Sequence, residues 1–545
     1  MAIAAAVGIM AGTASALLLA SLEWATAVRE SHVWLIALLP LAGLAVGLIY
    51  KRFGQSVEAG NNLLLEEIHD PRAVIPLRMT PLVLLGTAMS HLFGGSAGRE
   101  GTALQTGASL ADQLTRPLGL DAQDRRILLM AGISAGFSSV FGTPLAGAIF
   151  GLEVLAIGKL RYDALVPCFL AAAVADRVTI AWGIHHTAYR IPLTPALSVP
   201  GFGCAIVAGI AFGLTAMLFA KTTHSITSAA KRWIGYAPLR PFFGGVAVAL
   251  AVFAVGTTRY IGLGIPTIVE AFAHPVHPWD FAAKFLFTAV TLGSGFKGGE
   301  VTPLFFIGAT LGYALSYILP LPFPLLAGMG FCAVFAGAAN TPVASTLMAM
   351  ELFGSEAGIY AGIACVVSYL FSGHAGIYRA QRIGLSKYAL EDPEEEALTF
   401  SAPEGSIREY SSREEPISMK QVTILRLYFA ASATIPETKW WRRAMSRNLG
   451  HYLLKQAREA GVHQAVLHKV SAGFLNGAGI SWNVGETPPP RLPQCLELIG
   501  EEELLRAYLE VERPYLTNVR AVMMRSEEVL DGVDAGGEDI SAQER

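Results

Sequence analysis

Through the first 390 positions, apolar residues run in long blocks, and the breaks between blocks are short and rich in glycine and proline. No Asp, Glu, Lys or Arg occurs from Met79 to Gly98, from Pro200 to Ala220, or between Glu300 and Glu351. A helix needs roughly 20 such residues to cross a bilayer, so the pattern predicts a polytopic membrane protein. The first span is expected over Ile3–Leu22, which has no basic residue before it and leads into Glu23, unlike a cleaved signal peptide. Several blocks are interrupted, by Gly94-Gly95, Gly298-Gly299, Pro303, Pro320, Pro322 and Pro324. In lipid, broken helices persist only where the freed backbone is buried in protein or lines a cavity. Matched interruptions in two halves point to a transporter's binding site.

The halves are visible. Gly98-Arg99-Glu100-Gly101-Thr102-Ala103-Leu104 lines up with Gly298-Gly299-Glu300-Val301-Thr302-Pro303-Leu304, and Gly107 to Leu110 with Gly308 to Leu311. Thr143-Pro144 stands ahead of Glu153 as Thr341-Pro342 stands ahead of Glu351. Two matches at nearly one offset mark an internal duplication, with halves of about 1–190 and 199–390.

The pattern changes at Glu391-Asp392-Pro393-Glu394-Glu395-Glu396. Residues 391–418 read as an acidic, polar linker, 419–527 as a soluble domain and 528–545 as a disordered acidic tail. Strands are expected over Val422–Phe429, Ala465–Val470, Cys495–Ile499 and Val519–Met524, with helices over Trp441–Ala460 and Glu501–Val511. That is an α+β, ferredoxin-like order. Gly473, Gly477, Gly479 and Pro488-Pro489-Pro490 mark a long loop between its second and third strands.

Composition agrees with the membrane reading: 53% of residues are hydrophobic and 15% charged, against about 45–50% and 25% in soluble domains. The net charge of −3 averages two unlike parts. The five cysteines are scattered without zinc-like or disulfide-like spacing, and neither a metal nor a cofactor is expected. Nothing in the chain points to nucleic acid.

Each glutamate motif opens an apolar, helix-like run. The first turn of a helix carries unpaired N–H groups and partial positive charge, which together bind anions. Gly98, Gly101, Gly298 and Gly299 let the backbone approach a ligand. Glu100, when ionised, could fill such an anion site itself, and when protonated leave it, linking anion passage to proton binding. It could also be only a first-turn capping carboxylate, but ionisable groups within membrane segments are usually functional. Lys297 is near enough in sequence to neutralise Glu300. Glu153 and Glu351 are expected to face water, His91 to be a hydrogen-bonded interior residue, and Arg99 to bond backbone carbonyls or face a vestibule. Asn61 and Asn62, after Gly60, read as a helix cap or as amide donors.

At these residues the first 390 positions resemble the CLC family of chloride channels and anion/proton antiporters. The resemblance implies an all-α polytopic fold with an inverted repeat, broken and re-entrant helices, and a homodimer. Gly98-Arg99-Glu100-Gly101 matches the family's gating motif, with Thr102 in place of its proline. Gly298 to Pro303 matches a second motif, but Glu300 and Thr302 depart from chloride transporters; Asn61 replaces the selectivity serine, and Tyr378 matches a central tyrosine. Val154 stands where chloride/proton exchangers carry a second glutamate. Together these departures resemble the fluoride-exporting branch. They imply Glu100 as gate, Glu100 and Glu300 in proton coupling, and Asn61, Gly98, Arg99, Gly101, Thr302 and Tyr378 around the anion. Within that resemblance the anion role of Asn61 is preferred to the cap. The soluble domain resembles PII-like signalling proteins, implying a nucleotide or other small ligand, with a purely structural or assembly role as the alternative. CLC proteins are dimers and PII-like proteins usually trimers, a conflict the residues leave open.

The expected function is fluoride efflux driven by proton entry across the cell inner membrane, with the C-terminal domain cytoplasmic. Basic breaks at Lys51-Arg52, Arg125-Arg126, Lys159 to Arg161 and Lys231-Arg232 are compatible with cytoplasmic loops. A chloride channel or chloride/proton exchanger is the second reading. A receptor that merely anchors its tail in the bilayer has no use for Glu100 and Glu300.

Overall fold

The computed structural model describes residues 1–374, 376–384, 387, 418–433, 449–469, 472–473, 475, 481–482, 492–516 and 519–530. The chain divides into two units, Met1–Glu391 and Asp392–Arg545.

In the first unit, eight helices are followed by eight counterparts among the described residues. The first half holds α1 (Ala2–Ser31), α2 (Leu39–Phe53), α3 (Asn61–His69), α4 (Met79–Leu92), α5 (Glu100–Asp112), α6 (Ala122–Phe141), α7 (Pro144–Glu153) and α8 (Leu165–Ala181). The second holds α9 (Val199–Trp233), α10 (Leu239–Val255), α11 (Ile265–Ala273), α12 (Asp280–Gly293), α13 (Val301–Leu315), α14 (Phe323–Ala339), α15 (Pro342–Phe353) and α16 (Ser355–Phe371). By length and composition four segments can cross a membrane: Ala2–Ser31, Val33–Phe53, Tyr162–Ala181 and Val199–Trp233. Most of the others are short, as the interrupted apolar blocks require.

Packing repeats with the sequence. In the first half α6 lies against α1, α5, α7 and α8; in the second, α14 lies against α9, α13, α15 and α16. Small residues permit both central crossings: a methyl at Gly107 would strike the Gly132 carbonyl, and one at Gly308 the Gly330 carbonyl. Such close backbone approach is how helices gain packing energy where no hydrophobic drive separates them from lipid. Left-handed residues end the two central helices, Gly142 after α6 and Asn340 after α14.

Glu153 and Glu351 do not face water as expected from their places at the ends of apolar runs. Glu153, closing α7, accepts the Val343 and Ala344 N–H groups at 2.9 and 2.8 Å, in the first turn of α15. Glu351, near the end of α15, accepts those of Leu145 and Ala146 in the first turn of α7, both at 2.9 Å. Each half thus supplies the carboxylate that accepts the unpaired N–H groups of the other's helix N-terminus. Because each helix end meets the other's start, α7 and α15 run antiparallel, as an inverted repeat requires. A buried cluster fixes the loop after α3: Arg125 binds Asp112 at 2.7 Å and Glu67 at 2.9 Å, and Asp112 also accepts the Ile75 N–H at 2.7 Å.

Two short strands of the first unit, β1 (Ala156–Ile157) and β2 (Arg382–Ile383), pair in parallel. In the second unit a four-stranded antiparallel sheet has β3 (Ser418–Ala430) between β7 (Pro493–Gly500) and β8 (Arg520–Leu530), with β4 (Gln464–Lys469) outside β7, while β5 (Ala472–Gly473) and β6 (Ser481–Trp482) form a separate two-residue pair. Helices α17 (Leu449–Glu459) and α18 (Glu502–Glu512) complete a β-α-β-β-α-β order. Leu425, Leu427 and Phe429 of β3 alternate into one core with Leu496, Leu498, Leu453 and Leu505. On the other face Arg426 pairs with Glu497. Strand β8 reaches Leu530, so residues 528–530 are strand where a disordered tail was expected: they extend the ladder to Ser418. The expected helical start at Trp441 and most of the long loop lie outside the described residues.

Replacing Glu351 by Ala is expected to lower the stability of the detergent-solubilised protein by about 1–3 kcal/mol, the usual range for a charge-assisted contact at a helix N-terminus. Glu153→Ala should do the same. Thermal unfolding midpoints unchanged from wild type in both variants would contradict this role.

Candidate functional site

The loops before α5 and α13 meet at the centre of the first unit. Gly98 and Gly299 exchange both backbone hydrogen bonds, N–H to carbonyl, at 2.6 and 2.8 Å. The first loop is braced from α12: the Ser96 hydroxyl bonds Thr288 at 2.9 Å and its N–H reaches the Thr291 hydroxyl at 3.2 Å. Glycine is required at the contact. A methyl on Gly98 would lie 2.8 Å from a Glu100 carboxylate oxygen and 2.9 Å from the Gly299 carbonyl. Gly298 has φ +151°, a backbone state that side chains disfavour.

This bridge corrects the residue-by-residue match between the halves. Gly98 pairs with Gly299, α5 opens at Glu100 and α13 at Val301. The true register is therefore one residue longer than the shared Gly-x-Glu lettering suggests. Glu100 corresponds to Val301, and Glu300 to Arg99. The two glutamates are not symmetry mates.

Glu100 is wholly buried, and its carboxylate reaches across to the second half. It accepts the Thr302 hydroxyl at 2.5 Å and the Thr302 N–H at 3.0 Å, both at the N-terminus of α13. It also takes the Arg99 N–H at 3.1 Å, while the Arg99 guanidinium stands 3.6 Å away. So Arg99 addresses the carboxylate, where backbone carbonyls or a vestibule were expected. Gly101 brings α5 close to α3: a methyl there would lie 3.0 Å from the Asn61 side-chain nitrogen. Thr102 turns away and bonds the Thr87 hydroxyl of α4 at 2.7 Å.

Glu300 sits just before α13, half-buried, and lines a cavity of about 150 Å³ with Asn61, Gln105, Lys297 and Tyr378. Lys297 does not neutralise it: the ammonium lies 4.0 Å from the centroid of the Tyr50 ring, with no salt bridge among the described residues. Asn61 is the first residue of α3 and caps nothing; its carbonyl oxygen and the Tyr378 hydroxyl are both buried without a hydrogen-bond partner. They also share a gap of about 10 Å³ with Phe150 and Val154. His91 is fully buried, but neither ring nitrogen has a hydrogen-bond partner, contrary to expectation.

Sequence reasoning missed the residues that hold Tyr378. Gln381 donates to the carbonyls of Val154 and Ala339 at 3.0 and 3.1 Å and accepts from Asn340 at 2.9 Å. The Asn62 side-chain oxygen Oδ1 accepts the Ala380 N–H at 3.0 Å, tying α3 to the same segment. No sequence spacing could have shown these bonds, which join positions far apart in the chain.

Broken helices of two inverted halves, aiming N-termini at a buried carboxylate, define a membrane transport protein rather than an anchor. The family model described as voltage gated chloride channel matches residues 42–373. A chloride/fluoride channel protein of Pseudomonas syringae pv. tomato is 57% identical over 430 residues, 78% of this chain and 94% of that protein. The crystal structure of a CLC-type fluoride/proton antiporter is similar at TM-score 0.69 and 35% identity, covering 70% of this chain and 97% of that one. A slow cyanobacterial chloride/proton antiporter, 19% identical with TM-score 0.61 over 69% of this chain and 96% of its own, shares the fold. The chain belongs to the CLC family of voltage gated chloride channels, whose members are channels and antiporters, not enzymes.

Gly98→Ala should cut anion flux through reconstituted protein by more than about tenfold, since the added methyl displaces either the Glu100 carboxylate or the Gly299 bridge. Wild-type flux in that variant would show that this contact is not part of the pathway.

Proposed function

We propose that the protein exports fluoride in exchange for protons across the bacterial inner membrane, with Glu100 as the gate and Glu300 as the proton partner. The observation that carries this reading is the seat of the Glu100 carboxylate on the Thr302 hydroxyl and N–H. An anion must displace that carboxylate to occupy the same donors, and protonation removes the charge that holds it there. Fluoride is small and a strong acceptor, so exchanging its water shell calls for compact donors. Thr302, the N–H groups opening α13 and the Asn61 amide are of that kind. Gly98, Arg99, Gly101 and Tyr378 complete the surroundings of the anion.

Glu300 opens on the cavity while Glu100 is sealed. A proton entering from outside reaches Glu100 and one leaving to the cavity side departs from Glu300, so coupling does not need the glutamate that Val154 replaces. The wider vestibule beyond this cavity is bordered by Lys51 and Lys231, members of the basic breaks expected on the cytoplasmic side. The C-terminal unit then lies in the cytoplasm. Its strand order, β4-β7-β3-β8, supports a ferredoxin-like domain, which we read as a PII-like sensor of a small ligand acting on a homodimeric transporter. Chloride transport is the second reading, favoured by the description of the matching family.

Liposomes containing the purified protein, with fluoride, chloride and pH followed together, separate these readings. Fluoride should move against protons and chloride should not compete; equal chloride movement would sink the fluoride assignment. Glu100→Gln should stall or uncouple transport, and Glu300→Gln should abolish proton movement; wild-type coupling in both would remove the mechanism. Deleting residues 395–545 should leave basal transport intact and remove only regulation, whereas loss of assembly would mark the tail as structural.

A further inference from the structure

The 150 Å³ cavity beneath Glu300 continues into a vestibule of about 850 Å³, the two sharing Tyr50, Glu58, Asn62, Lys297, Glu300 and Ile377 in their walls. The vestibule carries five basic side chains from five separate segments: Lys51 of α2, Lys231 of α9, Arg240 of α10, Lys297 before α13 and Arg379 after α16. Glu58 and Glu300 are the acidic ones. A concave wall of one charge sign concentrates counter-ions. Two of these cations already use donors: Arg379 bonds His224 at 3.0 Å and Arg240 bonds the Ile234 carbonyl at 3.0 Å, while Lys51 rests 4.1 Å from the Tyr236 ring centroid, out in the wider vestibule.

Lys297 differs from the others in place. It stands at the neck, where both cavities touch it, directly before the Gly298-Gly299-Glu300 motif. Its stem passes through a slot left by Gly86 of α4, where a methyl would come within 3.0 Å of its Cβ and Cγ. The ammonium then rests on the Tyr50 ring and makes no hydrogen bond or salt bridge among the described residues. An aromatic face holds a cation without using its N–H donors. Glu58 lines both cavities with it. A lysine held in this way keeps its donors available to a passing anion.

We propose that Lys297 forms an anion-capture station at the neck of the cytoplasmic vestibule, where a small monovalent anion binds the ammonium before moving on to Asn61 and Tyr378. This rests on the anion-transport reading given above. It also accounts for a cation placed beside Glu300 that does not pair with it: neutralising Glu300 would cost both the proton site and the anion station.

The test compares wild type with Lys297→Met, Lys297→Arg and Lys297→Cys in liposomes, reading initial fluoride flux against fluoride concentration on the vestibule side. Lys297→Met should raise the half-saturating concentration by about tenfold and flatten its dependence on ionic strength. The maximal rate should stay within about twofold, because the lost contact is made before the gate. Lys297→Arg should restore affinity. In the Lys297→Cys protein, a cationic thiol reagent should restore affinity and an anionic one of similar size should lower it, with the same reagents inert on wild type. These last measurements use one folded protein before and after modification, so they decide the matter even if the Met variant fails to fold. Equal effects of both reagents, or an unchanged half-saturation in the Met variant, would overturn the proposal. Wild type that moves no anion would instead overturn the proposed function.

Discussion

The structure depends on one contact: a carboxylate of the first half, Glu100, seated on the helix N-terminus of the second. A buried carboxylate is tolerated only where donors replace its lost water. Here the donors are the Thr302 hydroxyl, the Thr302 N–H and the Arg99 N–H, with the Arg99 guanidinium nearby. All of them would serve a free anion equally well. The donors that hold the carboxylate at the centre of the fold are thus the ones the proposed anion pathway would use. Around this contact the requirements narrow. The two loops must touch, so Gly98 and Gly299 carry no side chain; α5 must approach α3, so Gly101 carries none either.

The same logic recurs away from the centre. Glu153 and Glu351 each close a helix of their own half and accept the N–H groups at the N-terminus of the other's. In an inverted repeat such exchanges are available twice at every symmetric position, once in each direction. At α7 and α15 both are used. At the central bridge only one is, because Val301 occupies the position equivalent to Glu100. Where two halves are fastened, the symmetry is kept; at Glu100, the gate of the proposed mechanism, it is broken.

Much of the membrane unit could be read from the chain because its physics is written locally. Apolar blocks bounded by Gly and Pro mark helices and breaks, and Thr-Pro pairs mark the starts of α7 and α15. Glu100 stood out because a charged group within such blocks is costly unless it is used, and Thr302 because it departs from the motif that the family resemblance supplied. What could not be read was which partner each polar group would find. Glu153 looked water-facing because its acceptors' donors lie about two hundred positions away, in Val343 and Ala344. Gln381 was invisible for the same reason. The lettering of the two glutamate motifs was also misleading, since identical residues invite an alignment that the helix starts contradict. In the tail, alternation in β3 exposed the core positions, while the extent of β8 depended on pairing with Ser418 and its neighbours.

The one-residue shift between the motifs has a physical reason. Had Glu300 fallen at the position equivalent to Glu100, two carboxylates would face each other across the Gly98–Gly299 bridge, each aimed at the other half's first turn. Like charges so placed repel, and one would have to stay protonated. Moving Glu300 back to the residue before the helix turns it from the sealed centre to the open cavity, beside Asn61 and Tyr378. In the proposed mechanism one carboxylate then competes with the anion for the donors of α13, and the other faces the cavity that leads to the vestibule. A duplicated fold that kept its symmetry here would hold two equivalent gates. Losing it by a single residue gives two glutamates that differ in access, as the proposed exchange of a proton for an anion requires.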